Sequence, residues 1–214
     1  MEAQADRNWA AGHDRRTEEC RIRGSVGDKM RVIAGTARSM PLKTPPGNDT
    51  RPTQDIIKET LFNIIQFDVP GCVFLDLCAG SGAVGIEALS RGAAKAYFAE
   101  NGKAAAACIQ ENLHKTHFEE KGILLKMDVL SALHHIHEKR ADIIYLDPPY
   151  ESAICADALR MLSALPYVTQ ETQIIVETSL TSDFSWLEDA GLCLVREKTY
   201  RSQRHLFIRK KAQG

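Results

Sequence analysis

The sequence predicts an α/β domain. Its sheet is mostly parallel and seven-stranded with an antiparallel C-terminal edge, preceded by an N-terminal β-hairpin and a helix. Three features of the 214 residues lead there. Short apolar runs alternate with helix-like stretches, which demands crossover connections and a sheet covered on both faces. The first run ends in a turn rich in glycine. The last two runs are separated by only a short polar turn, which suits an antiparallel hairpin.

Taken in order, residues 1–29 are polar, of mixed charge and without periodicity, so they read as a disordered extension with Met30 as the functional start. Residues 30–52 read as a small hairpin followed by the loop Thr44-Pro45-Pro46-Gly47-Asn48. Residues 53–211 form the main domain. Thr53 is placed to cap a helix whose Ile56, Ile57, Leu61, Ile64 and Ile65 make one apolar stripe. Buried parallel strands are expected at 73–77, 96–99, 123–126, 142–146 and 173–177, and the closing hairpin at 192–199 and 204–209.

Asp76-Leu77-Cys78-Ala79-Gly80-Ser81-Gly82-Ala83-Val84-Gly85 closes the first strand and runs into the next helix. Gly80, Gly82 and Gly85 have the spacing of a strand-to-helix turn in which a ligand approaches the backbone, and the N-terminus of the next helix presents its N–H groups there. Nicotinamide and flavin enzymes share that spacing, and a plain tight turn also satisfies it. Glu100 closes the second strand, where a carboxylate accepts from ribose hydroxyls. Asp76 adds a second acid that would repel a pyrophosphate but favour a cation, which selects the sulfonium cofactor S-adenosylmethionine over a dinucleotide. Asp128 is placed either to accept from the cofactor's adenine amine or to cap a helix.

Asp147-Pro148-Pro149-Tyr150 follows the fourth strand, at the end where open α/β sheets place their crevice. Consecutive prolines lack N–H donors and force an extended path. An exocyclic amine has two hydrogens, and the Asp147 carboxylate and Pro148 carbonyl can each accept one, aiming the nitrogen at a methyl donor. Tyr150 offers a ring face for an unstacked base. A strand-ending turn with a capping Asp is the bland alternative.

The chain resembles the bacterial 16S ribosomal RNA guanine-N2 methyltransferases, the small-subunit methyltransferase D family, from Met30 to about Phe207. The residues that carry the resemblance are Arg31 to Gly35, Arg51-Pro52-Thr53, Glu59 to Asn63, Leu75 to Gly85 with Glu87 to Ala93, and Asp147 to Tyr150. It implies a Rossmann-like class I methyltransferase that moves a methyl group from S-adenosylmethionine to N2 of a guanine in small-subunit ribosomal RNA, in the cytoplasm. By the same resemblance Asp76, Ala79, Gly80, Ser81, Gly82, Glu100, Asn101, Asp128, Val129 and Asp147 would hold the cofactor. Asp147, Pro148 and Tyr150 would be catalytic. Arg31, Arg38, Arg51, Thr53, Phe62, Pro149, Tyr150, Tyr200 and Arg201 would meet substrate RNA. Phe62 enters because it lies off the apolar stripe. The family's usual Tyr-Gly is Tyr200-Arg201 here, and Asn101-Gly102-Lys103 replaces its usual charged run.

Composition narrows the rest. Six cysteines without a C-x-x-C pair read as reduced thiols, and the histidines at 134, 135 and 137 lack the partners of a zinc site, so no metal is assigned. No apolar run could span a bilayer and no secretion signal precedes the domain, so the expected setting is cytoplasmic, without a membrane. Net charge is −1, but residues 29–58 carry an excess of four positive charges and residues 196–211 an excess of six. Together these segments could form a footprint for a phosphate backbone. The expected partner is ribosomal RNA, free or in an assembling small subunit, met by a monomer. Alternatives are an adenine-N6 methyltransferase, an RNA-binding module that has lost catalysis, and a nicotinamide oxidoreductase.

Overall fold

In the computed structural model, residues 30–46, 52–149 and 153–212 are described. The strands are β1 (Val73–Leu77), β2 (Lys95–Ala99), β3 (Gly122–Leu125), β4 (Ile143–Leu146), β5 (Gln173–Ser179), β6 (Leu192–Thr199) and β7 (Gln203–Lys210). Between them lie α1 (Pro52–Ile64), α2 (Ala83–Ser90), α3 (Lys103–Thr116), α4 (Val129–Leu133) and α5 (Ile154–Ala164). The sheet runs β3-β2-β1-β4-β5-β7-β6, with the first five strands parallel and the final pair antiparallel. After β1 the chain builds outward through β2 and β3, then returns to place β4 on the other side of β1. The order therefore reverses between β1 and β4, and the loops leaving their carboxyl ends part there and open a crevice.

Alternation along the strands divides the core into two layers. Phe74, Phe98, Ile143 and Phe207 face one side with residues of α1, α2 and α3. Leu75, Leu77, Ile144, Leu146 and Val176 face the other, under α4 and α5. Each fully buried large side chain contributes roughly 1.5–3 kcal/mol of transfer free energy, so such runs cannot be left in loops.

The N-terminal segment differs from a regular hairpin. It is a turn closed by a single antiparallel bridge between Arg31 and Pro41, supported by Val32 N–H donating to Met40 O at 3.0 Å. Its place is fixed by α2 instead. The buried Glu87 carboxylate accepts from Ile33 N–H at 2.7 Å and Ala34 N–H at 3.0 Å, and Arg91 Nε donates to it at 2.7 Å. Gly35 has φ +83, and a Cβ there would lie 1.8 Å from the Ser90 carbonyl oxygen, so only glycine fits in the Arg31 to Gly35 run. Asn112 of α3 completes the clamp by accepting from Lys43 N–H at 2.7 Å.

Helix α1 begins at Pro52, which suits a first helical position, so Thr53 lies inside the first turn and is not the cap. Its buried face is Ile57, Lys58, Leu61 and Phe62, while Ile56 is 62% exposed. The covered face is thus rotated by about one residue from the expected stripe. Phe62 is fully buried and stacked on Phe74 at 6.4 Å, with the Arg91 guanidinium 4.9 Å from its ring centre. It therefore cannot face RNA or a cofactor.

Candidate active site

The glycine-rich loop is shaped by three local constraints. Cys78 takes φ +65, an uncommon backbone for a side chain with a Cβ and one that occurs at functional turns. Gly82, at φ +76, is the N-cap of α2. A Cβ on Gly85 would lie 2.3 Å from the Phe98 ring, so the glycine lets α2 settle onto β2. Gly85 N–H donates to Asp76 Oδ2 at 2.8 Å, which ties the helix to the end of β1.

Asp76, Ala79, Gly80, Ser81 and Asp147 line one cavity of about 350 Å³. The loops after β1 and β4 thus converge as the sequence required. Glu100, Asn101, Asp128, Val129 and Pro148 line an adjoining recess of about 600 Å³. Cys78, Asp147, Glu177 and Gln203 belong to both, so they mark the junction.

The acids divide into distinct roles. Glu100 Oε2 accepts from Gly80 N–H at 2.8 Å and Oε1 from Gly102 N–H at 2.7 Å, so this carboxylate ties the loop after β1 to the one after β2. Asp128 is engaged as a cap: Ser131 N–H donates to Oδ1 at 2.9 Å and Ser131 Oγ to Oδ2 at 2.7 Å. Burial pushes Asp76 up to about 7, against the lowering effect of the Gly85 hydrogen bond. Asp147 reaches the open cleft yet is closely surrounded by protein. That desolvation, with Glu177 and Asp76 nearby, holds its carboxyl well above the usual range.

A buried network beside Asp147 escapes a reading of the sequence. Burial pushes Glu177 upward, but hydrogen bonds from His205, Tyr145 and Gln203 outweigh that and hold it below its ordinary value. Tyr145 Oη donates to Glu177 Oε2 at 2.5 Å and His205 Nε2 lies 2.9 Å from the same oxygen. Since Glu177 offers only acceptors, His205 carries the proton on Nε2. Its Nδ1 lies 3.1 Å from the Tyr200 hydroxyl. Tyr200, expected to meet RNA, thus turns its hydroxyl inward to support His205. The signal available was Ile174-Ile175-Val176 ending in Glu177, the same apolar-run-then-acid pattern that marks Asp76 and Asp147.

The basic segments partly reach this cleft. Met30, Thr44 and Pro45 line the same cavity as Gln203 and His205. Arg31, Arg38 and Arg201 are exposed, Arg31 with Asp55 3.4 Å away. Lys58 is different: it is 5% exposed and donates to the Arg31 carbonyl at 2.6 Å, so it is structural. Arg209, Lys210 and Lys211 lie at the opposite end of the sheet, because β7 is antiparallel to β5 and Ile208 pairs with Ile174. The N-terminal extension, Arg51 and Tyr150 lie outside the described residues. Pro149 lines the adjoining recess along with Pro148.

The sheet order, the glycine loop at the switch point, an acid closing β2 and Asp147-Pro148-Pro149 at the end of β4 together define a class I methyltransferase. S-adenosylmethionine fits the donor set: the Glu100 carboxylate lines one recess, and Asp76, Asp147 and Glu177 line the adjoining cavity, where the ammonium of Lys58 is taken up by the Arg31 carbonyl. The chain belongs to the family described as Conserved hypothetical protein 95, whose model matches residues 30–209. YlbH of Bacillus subtilis is 33% identical over 174 residues, covering 80% of this chain and 94% of that one. Ribosomal RNA small subunit methyltransferase D of Haemophilus influenzae is 31% identical over 173 residues, covering 80% and 89%. The solved structure of yhhF from Escherichia coli overlays with a TM-score of 0.72 at 30% identity, covering 86% of this chain and 99% of that one.

Proposed function

We propose that the protein transfers a methyl group from S-adenosylmethionine to the exocyclic N2 of a guanine in small-subunit ribosomal RNA, in the cytoplasm. The observation that carries this reading is the shared cavity of the glycine-rich loop and Asp147. Relatives of Haemophilus influenzae and Escherichia coli bear the name ribosomal RNA small subunit methyltransferase D, which supports the RNA as substrate.

The bound cofactor supplies an electrophilic methyl group. Glu100 and the Gly80 to Gly82 backbone would hold its nucleoside and methionine ends. Asp147 and the Pro148 carbonyl would each accept one amine hydrogen, fixing the nitrogen in line for transfer and stabilising the positive charge that develops on it. Positioning of this kind supplies most of the rate, and the proton leaves to water or Asp147 afterwards. Ionised Asp147 is the stronger acceptor, and a neighbouring cation favours that form. Arg31, Arg38 and Arg201 would contact phosphates around the cleft, which positions the RNA without reading its sequence.

The test is nucleoside mass spectrometry of ribosomal RNA from cells lacking the gene. N2-methylguanosine should disappear at one position, return with the intact protein and stay absent with Asp147→Ala. An unchanged nucleoside profile would refute the assignment.

A further inference from the structure

We propose that Glu177 accepts the N1–H of the target guanine and thereby selects guanine over bases that present a lone pair at that position. This rests on the reading of guanine N2 as methyl acceptor. Leu146 and Val176 are paired across β4 and β5, and Asp147 and Glu177 each follow by one residue. Neighbouring strands lie about 4.8 Å apart, so two carboxylates stand side by side at the crevice floor. Both line the cavity that contains the glycine loop.

Glu177 is held rigidly for such a task. Tyr145 and His205 both bond Oε2, whereas Gln203 Nε2 is the donor to Oε1. A second lone pair on Oε1 remains to receive a donor from the cavity. Guanine presents three hydrogens along this edge, two on N2 and one on N1. With Asp147 and the Pro148 carbonyl on the amine, N1–H would be buried without a partner unless a further acceptor stood beside them, and an unmet donor is costly. Glu177 is the acceptor the fold places there. A base with the same amine but a bare N1 would set a lone pair against a carboxylate, which is the kind of mismatch that yields strong discrimination.

The experiment uses small-subunit ribosomal RNA carrying either guanine or 2-aminopurine at the methylated position, assayed free and in reconstituted particles with the full-length protein. 2-Aminopurine keeps the N2 amine and lacks N1–H. Wild type should favour guanine by about 100-fold or more in kcat/KM. Glu177→Gln can donate its amide to a bare N1 while Gln203 turns its own amide to accept. The ratio should therefore fall below about 10-fold, with faster transfer to 2-aminopurine. Glu177→Asp keeps a carboxylate and should keep the preference at a lower rate. Wild type using both bases within about 3-fold, or a Glu177→Gln protein that melts like wild type and retains the full preference, overturns the proposal. Should Glu177→Gln not fold, the wild-type ratio and Glu177→Asp decide it. Absence of transfer to guanine by wild type in both RNA forms overturns the underlying guanine reading, a distinct outcome.

Discussion

Gly85 and Phe98 are packed so closely that a methyl group on the glycine would sit 2.3 Å from the ring and 3.1 Å from Asp76 Oδ2. One backbone position therefore carries both the seating of α2 on β2 and the hydrogen bond that holds Asp76 in the cleft. Gly85→Ala should cost about 1–3 kcal/mol, the usual penalty for overpacking a core. Urea unfolding checks this, with a lower midpoint at unchanged slope expected. A midpoint within error of wild type would show that Phe98 can move aside.

The N-terminal segment is a wall of the cleft because α2 anchors it, with Asn112 of α3 and Lys58 of α1 holding it further along. Glu87 is fully buried and accepts from Ile33, Ala34 and Arg91. Removing its carboxylate strands those donors, and breaking a buried pair typically costs about 3–5 kcal/mol. Hydrogen exchange of Glu87→Ala should show the amides of Ile33 and Ala34 losing protection ahead of β1. Uniform loss across the sheet would mean that the segment and core unfold as one unit.

Stability of the ligand-free protein should fall as pH rises. Asp76, at about 7, and Asp147, held well above the usual carboxylate range, both bind their protons more tightly folded than unfolded. The folded state therefore holds more protons. Their stabilising contribution is complete below the unfolded value, near 3.9, and is lost as pH climbs through each folded value. Melting temperatures of wild type between pH 5 and 8 should decline more steeply than those of Asp76→Asn, whose amide carries no charge to desolvate. Parallel curves would show that Asp76 is already ionised at pH 5. For catalysis the sign is opposite: the ionised Asp147 carboxylate is the stronger acceptor for the amine, so kcat/KM should rise as pH climbs through its folded value.

Glu100 holds Gly80 and Gly102 and lines the recess proposed for the cofactor's nucleoside. Glu100→Gln removes the charge from hydrogen bonds worth about 1.5–3 kcal/mol each when one partner is ionised. Calorimetry with S-adenosylhomocysteine should show affinity reduced by about 10- to 100-fold, with turnover at saturating cofactor much less affected. Unchanged affinity would confine Glu100 to holding the loops.

Much of the fold was legible because buried parallel strands must be continuously apolar. Thus β1 begins and ends where the sequence suggested, and β2 to β5 differ from the expected spans only at their ends. The glycine loop was legible too, since positive φ and close packing require glycine, and so was the position of Asp147 at the end of β4 beside that loop. Helix α1 shows where such reading fails. A periodic pattern gives a helix and an approximate face, but Ile56 and Phe62 both fit near its edge, and only the Phe74 ring and Arg91 guanidinium decide which is covered. Charge counting fails for the same reason. Lys58 and Lys211 contribute equally to a sum, yet one is buried against a carbonyl and the other lies at the far end of the sheet.

By itself the sequence determined the order of elements, the glycine-rich strand-to-helix turn and the place of the acid-proline loop after β4, because these depend on residues adjacent along the chain. Tertiary structure decided what stands opposite them. It set Glu177 beside Asp147, turned Tyr200 inward onto His205 and made Glu87 the anchor of the N-terminal wall. These partners are 30 to 54 residues apart or lie across a hairpin turn. No local pattern encodes such pairings, since they arise only when burial of the shared core brings the strand ends together.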